Sequence, residues 1–390
     1  DRAKADARAK KSGHTDLSEY RKVIDSAGHT EFTGYSEMQS EGALKAIMLD
    51  GKIVKEAPLH SDVEIILDRT PFYAEGGGQL PDGGKITLSN GAVVEIDDVQ
   101  SPIPGLYVHR GQVVKGLIEI DQKVLSQIDI ERRLAISRAH TATHMVHKAF
   151  REVLGETATQ AGSENSPGRF RFDFPSSGAV PLSVLNEVEA RVNDLLIDNL
   201  SVTAEVMTQP EAKTLGAMAL FGEKYGDQVR VVSVGDWAHE LCGGTHVKNS
   251  GELGLVKLIS ESSIGAGVRR VEALVGTDAY NFLAREHIIL DSLTELIKGA
   301  QIEELPERIS DLLEKLKSAE KQINEFKTAR ALEQAKDLVD KRKSFGGFDA
   351  IVSEFASGIN TDDLRTIALD LRKKIGDGVV ALISKGEDKV

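Results

Sequence analysis

The stretch Arg133–Leu154, RLAISRAHTATHMVHKAFREVL, decides the fold. Apolar residues recur through it at helical spacing and Gly155 supplies a stop, so it reads as one amphipathic helix. Pro181–Leu200 repeats that pattern, whereas Arg169–Phe174 and Val229–Val234 alternate as strands do. The middle of the chain is therefore α+β. Inside the helix lies His140-Thr141-Ala142-Thr143-His144, and an i, i+4 spacing sets two imidazoles on one face about a turn apart, which suits a shared metal. His147 lies on the same face as a rival ligand.

Working outward, Thr30 to about Asp129 is strand-like, with short β-branched runs such as Val63–Leu67 and Val93–Ile96 separated by Gly, Pro and Asp turns. This predicts a small β-barrel or sandwich. Within it, Glu75-Gly76-Gly77-Gly78-Gln79 allows a tight turn or a close backbone approach, but lacks the Lys-Ser/Thr ending of a phosphate loop. On the other side, past Asp278, Leu305, Ile309, Leu312, Leu316, Ala319, Ile323 and Phe326 form a heptad seam. An antiparallel helix pair and a coiled-coil dimer both produce such a seam. After Gly346-Gly347 come short apolar runs and one amphipathic helix, Asp362–Lys374; the run Val379–Ile383 calls for a sheet to bury it.

At 390 residues and 41% hydrophobic, the chain can form more than one packed core. No apolar run reaches the roughly 18 residues of a membrane span and no leader is evident, so a cytoplasmic protein is expected. The charged stretch Asp1–Lys11 reads as the interior of a longer chain. A net charge of −13 excludes broad, charge-driven nucleic-acid binding, so any such partner is met at local patches: Arg132, Arg133 and Arg138, then Arg169 and Arg171, Arg269 and Arg270, and Arg372–Lys374 with Lys373 at its centre.

The single cysteine excludes an internal disulfide. It precedes a histidine by four positions in Cys242-Gly243-Gly244-Thr245-His246, and a thiolate with imidazoles is a set that zinc favours. The two short pairs together predict a zinc site of His140, His144, Cys242 and His246. Four protein ligands close a tetrahedral site, which is the structural arrangement; catalysis there needs a ligand to leave, a fifth position, or another group to handle water.

These motifs, with Gln160-Ala161-Gly162-Ser163, Arg171-Phe172-Asp173-Phe174 and Gly267-Val268-Arg269-Arg270-Val271-Glu272, occur in the order seen in alanyl-tRNA synthetase editing domains, which the chain resembles almost end to end; Gly34-Tyr35, Glu75–Gln79 and Gly216–Gly226 share the likeness. The resemblance implies zinc at the four ligands, Gln160 and Thr143 in the pocket for the esterified tRNA end, and Gly77, Gly78 and Gln79 at its border. It implies hydrolysis of seryl- or glycyl-tRNA(Ala); for that reaction Thr143 is expected to offer its hydroxyl to that of serine, and from the basic patches Arg138, Arg171, Arg269, Arg270 and Lys373 are the expected tRNA contacts. The expected layout is α+β and multidomain: a helical lead-in (1–29), a β-barrel (30–130), a zinc-containing α+β editing core (131–280), a helical linker (281–345), and the start of a truncated α/β C-terminal domain (346–390) that the family uses for tRNA binding and homodimer contacts. The parent enzyme would charge tRNA(Ala) with alanine using ATP. A free-standing trans-editing hydrolase and a structural zinc module for tRNA or protein binding remain as alternatives.

Overall fold

A computed structural model describes residues 17–219, 226–355, 359 and 361–384. The charged stretch Asp1–Lys11 and part of Gly216–Gly226 lie outside the described residues. The chain divides into two compact units between Arg285 and Glu286, within a helix spanning Thr277–Leu296.

The first unit opens with helix α1, Leu17–Ala27, which lays Tyr20 and Val23 on the outside of a β-barrel, against Met48, Ile66 and Val108. Six antiparallel strands build the barrel in the order Lys123–Ile128, Gly84–Leu88, Val93–Gln100, Val108–Lys115, Asp62–Leu67 and Gln39–Leu49. Lys123–Ile128 also pairs with Gln39–Leu49, which closes the sheet on itself and leaves neither strand with a bare edge. Alternate residues point inward, and Leu44, Ile47, Ile65, Phe72, Ile86 and Val113 fill the interior.

Helix α2, Ile130–Leu154, leaves the barrel directly. It starts three residues earlier than apolar spacing indicates, because the Asp129 carboxylate caps it by accepting the Arg132 N–H, and Gly155 (φ 91°) ends it. From Ile136 to Phe150 it is buried on nearly all sides, as suits a helix at the centre of a domain. Phe170, Phe172 and Phe174 cover one side from a four-stranded sheet ordered Gly162–Ser166, Arg169–Pro175, Val268–Val275 and Val256–Gly265. Helix α3, Leu182–Ile197, adds Val188, Val192 and Leu195 to that core. A three-stranded sheet, Val202–Thr208, Gln228–Val234 and Ala238–Leu241, delivers Cys242 to its place.

Arg133 is the tie between barrel and core. It is 1% exposed, donates to Asp82 and to the carbonyls of Gly34 and Pro71, and so is not part of a surface patch as its charged neighbours suggest.

In the second unit, α6 (Leu305–Leu338) follows α4 (Gln209–Thr214) and α5 (Thr277–Leu296) in chain order. Of the seam residues Leu305 is buried, whereas Ile309, Leu312, Leu316, Ala319, Ile323 and Phe326 are exposed; beyond the seam, Ala331 and Ala335 of the same helix join Ile351, Phe355, Ile367 and Leu371 in a small core. That core lies under a sheet of Lys343–Phe345, Phe348–Phe355 and Gly378–Ser384, the last two parallel and connected through α7, Thr361–Ile375. The run Val379–Ile383 thus pairs in a sheet but is not buried by it, Val379 and Ile383 staying exposed. Among the described residues no helix is long and apolar enough to cross a membrane.

Candidate metal centre

The four sequence-selected ligands converge. One ligand atom from each of His140, His144, Cys242 and His246 lies within 4.8 Å of the others. The Cys242 Sγ is 3.4 Å from His140 Nε2 and 3.3 Å from His246 Nε2. Zinc bonds of about 2.3 Å to sulfur and about 2.05 Å to nitrogen, opened to a tetrahedral angle, would set those atoms about 3.5 Å apart, so the donor set fits.

Each imidazole is oriented from behind. The Thr245 N–H donates to Gln79 Oε1 at 2.8 Å, which identifies that atom as the oxygen; His140 Nδ1, 2.8 Å from the same atom, must then carry the proton and leave Nε2 bare. The Thr141 hydroxyl donates to the Ser137 carbonyl at 2.9 Å, so toward His246 Nδ1 at 3.1 Å it accepts. His144 Nδ1 is 3.4 Å from Glu240 Oε2, and the other Glu240 oxygen is 2.8 Å from His147 Nδ1. His147 is therefore no rival ligand but a partner of the carboxylate behind His144, an arrangement that fixes tautomers and raises ligand basicity.

Burial sets the charges. It pushes the His140 and His246 pKa values well below the ordinary imidazole range, with neighbouring histidines and Arg230 adding to the effect, and lowers that of His144. Burial works to raise Glu240, but the charges of His144 and His147 and the His147 hydrogen bond outweigh it and hold the carboxylate low. The Cys242 thiol is pushed up to about 12 by burial, against the Gly244 N–H and Arg230. Neutral imidazoles backed by a carboxylate are ready to donate lone pairs.

The loop carrying Cys242 needs its glycine. A Cβ on Gly244 would lie 2.2 Å from a His140 ring atom, so no larger residue lets the loop close over the helix. Arg230 clasps the loop, its Nη1 donating to the carbonyls of Cys242 at 2.7 Å and Gly244 at 3.0 Å. Glu240, Thr245 and Arg230 were missed from sequence. The signal for Glu240 was its place two residues before Cys242, on the same side of the strand.

The remaining candidates fall into two sets. Gly77 and Gly78 take positive φ in the expected turn, Gly78 abuts Ser163, and Ser163 Oγ accepts from Gln160 Nε2 at 3.1 Å. Thr143 is buried, and its hydroxyl donates to Asn165 Oδ1 at 2.6 Å in the same strand. The pocket candidates thus meet along Gly162–Ser166. The basic candidates are largely engaged: Arg171 pairs with Glu164, Arg269 with Glu261 and Arg270 with Asp173. Arg138 lines a cleft with Gly254 and Tyr280, and Lys373 is exposed in the last turn of α7.

Comparison with known proteins gives the class. Residues 1–132 match the family described as tRNA synthetases class II (A). Residues 229–272, which include Arg230, Glu240, Cys242 and His246, match the second additional domain of threonyl and alanyl tRNA synthetases. Both matches are to aminoacyl-tRNA synthetase families. The alanine–tRNA ligase of Nocardioides sp. (strain ATCC BAA-499 / JS614) is 57% identical over 393 residues, covering all of this chain and 44% of the relative. Those of Streptomyces avermitilis and Acidothermus cellulolyticus are 53% and 54% identical over 98% of the chain and 43% of each relative. The chain belongs to the alanyl-tRNA synthetase family and spans less than half the length of these relatives.

Proposed function

We propose that this chain is a zinc-dependent editing hydrolase that cleaves the ester of seryl- and glycyl-tRNA(Ala), with zinc held by His140, His144, Cys242 and His246. The observation that carries this reading is the converged donor set, with the Nε2 of His140 and of His246 freed by an acceptor on Nδ1 and Glu240 3.4 Å from Nδ1 of His144. Bound zinc supplies positive charge that polarises an ester carbonyl or a water.

The need for such a site is energetic. A synthetic pocket separates substrates differing by one methylene by only about 1–3 kcal/mol, so accuracy requires a second, hydrolytic site. In this chain Gln79, Thr141 and Glu240 orient the ligands, while Gln160, Thr143 and the Gly77–Gly78 turn border the ester. The one Thr143 hydrogen has two acceptors in reach, Asn165 Oδ1 at 2.6 Å and the Ala139 carbonyl at 3.0 Å, so what the hydroxyl offers a seryl group is a lone pair. Arg138, Arg171, Arg269, Arg270 and Lys373 are the proposed tRNA contacts, the three paired arginines exchanging a carboxylate for a phosphate. A protein of the relatives' full length would also charge tRNA(Ala) with alanine using ATP and dimerise through its C-terminal region, in the cytoplasm.

A second reading is a structural zinc module, favoured by four protein ligands that leave no coordination position open. A deacylation assay separates the two: purified chain, with and without chelator, on seryl-, glycyl- and alanyl-tRNA(Ala), with Cys242→Ala alongside. Zinc-dependent loss of serine with alanine spared supports editing; no hydrolysis by a folded, zinc-loaded protein supports the structural module.

A further inference from the structure

Gly34-Tyr35 is the motif that this function leaves unused. Tyr35 is 52% exposed, yet it is held at three points. The preceding carbonyl, of Gly34, accepts from buried Arg133 at 2.7 Å. Its hydroxyl donates to the Gly243 carbonyl in the metal loop at 2.6 Å. The Arg230 guanidinium lies 4.1 Å from its ring centroid. Gly34 itself cannot be larger, since a Cβ would lie 2.2 Å from the Pro71 carbonyl and 2.5 Å from the Phe32 ring. An exposed side chain normally turns freely. This one is preorganised as a flat surface at the rim of the metal centre.

The rim belongs to a cleft of about 190 Å³ whose lining includes the metal ligand His246. Fourteen residues line it and none is Asp or Glu, in a chain that carries 61 acidic residues against 48 Lys and Arg. Of its cations, Arg133 is neutralised by Asp82. Arg230 spends only Nη1 on loop carbonyls, and among the described residues neither Arg230 nor exposed Lys248 has an ion-pair partner. A carboxylate-free basic cleft beside a fixed aromatic is the set that single-stranded nucleic acid uses: phosphates on cations and bases stacked on rings.

We propose that Tyr35, Arg230 and Lys248 seat the unpaired 3′ end of an acylated RNA, with the terminal base stacked on Tyr35 and the adjoining phosphates on Arg230 and Lys248. This rests on the hydrolytic reading above, because it is the ester on that end that the seat would present to the centre. Tyr35 is a positioning residue; Arg230 serves also to clasp the loop and is unsuited to a clean test.

The probe is a short single-stranded RNA ending in 2-aminopurine, whose fluorescence falls when the base stacks. Titrated into the full chain it should be quenched by the unaltered protein and by Tyr35→Phe, while Tyr35→Leu should weaken binding about 5- to 100-fold and remove the quench. Lys248→Ala should lower affinity and reduce the slope of log affinity against log salt by about one. Quenching undiminished in Tyr35→Leu, or no binding by the unaltered protein, overturns the seat. Hydrolysis of seryl-tRNA(Ala) measured on the same proteins separates the two readings. A quenched probe without hydrolysis keeps the seat and sinks the hydrolytic function; hydrolysis with KM unchanged in Tyr35→Leu keeps the function and sinks the seat.

Discussion

Gln79 of the barrel reaches His140 of the core helix at 2.8 Å and also grips Thr245 twice, accepting from its N–H at 2.8 Å and donating to its hydroxyl at 2.9 Å. One barrel side chain therefore sets both the proton position on a ligand and the place of the loop that bears two others. Gln79→Leu should weaken metal binding about 10- to 100-fold, the usual cost of removing a partner behind a ligand. Competition with a chromophoric chelator measures it. Unchanged affinity in a folded variant would show that His140 is oriented by something else.

That relationship also marks what a sequence can disclose. The two residue pairs that converge were legible because each is local: four positions of helix bring His140 to His144, and a short glycine loop brings Cys242 to His246. The strands of 30–130 and the helix after them were legible from period alone. Gln79 stood out only as the end of a glycine turn, since its role depends on the barrel closing onto a helix residue 61 positions further along the chain. Arg133 was misread for the same reason; beside Glu131 and Arg132 it looks solvated, and only the fold brings Asp82 to it. Arg269 and Arg270 likewise look like a free basic pair until strand register sets Glu261 and Asp173 beside them.

Arg133→Met leaves Asp82 as a buried, uncompensated charge between barrel and core. The loss should be about 3–5 kcal/mol, read as a lowered midpoint in denaturant titration. Adding Asp82→Asn should recover part of it, because the stranded charge is then gone. A single variant as stable as the parent would mean that water reaches Asp82.

Thr143→Val keeps the shape and removes the hydroxyl, so the buried Asn165 side chain loses its Thr143 partner and the Ala139 carbonyl its side-chain contact. Stability should fall by about 1–3 kcal/mol. If Thr143 also reads the seryl group, the hydrolysis rates of seryl- and alanyl-tRNA(Ala) should converge in the variant. Rates that both stay at the parent's values dismiss the substrate role and leave the structural one.

His109 gives a pH dependence away from the metal. It is fully buried, with Nδ1 3.1 Å from the Ile65 carbonyl and Nε2 2.7 Å from the Thr70 hydroxyl, and burial lowers its pKa from 6.5 to about 4 despite the Ile65 bond. Between those values only the unfolded chain takes the proton. Stability is thus complete above pH 6.5 and declines as pH falls toward 4, with a slope approaching about 1.4 kcal/mol per unit from this residue. Denaturant titrations at pH 7, 6 and 5 should show a decline that His109→Gln reduces; equal slopes would mean that the imidazole is protonated in the fold.

Metal loading should release protons in a number set by the ligands. The three imidazoles are already neutral at pH 7.5, because burial depresses all of them. The thiol, pushed up to about 12, is protonated without metal and must ionise to become a ligand. Loading therefore releases one proton, from Cys242, and none from histidine. Calorimetric titration of zinc in buffers of different ionisation enthalpy counts that proton directly. Cys242→Ala should bind more weakly and release none, whereas His144→Ala should bind more weakly and still release one. Zero protons from the parent would remove the thiolate from the ligand set, and with it the four-ligand centre.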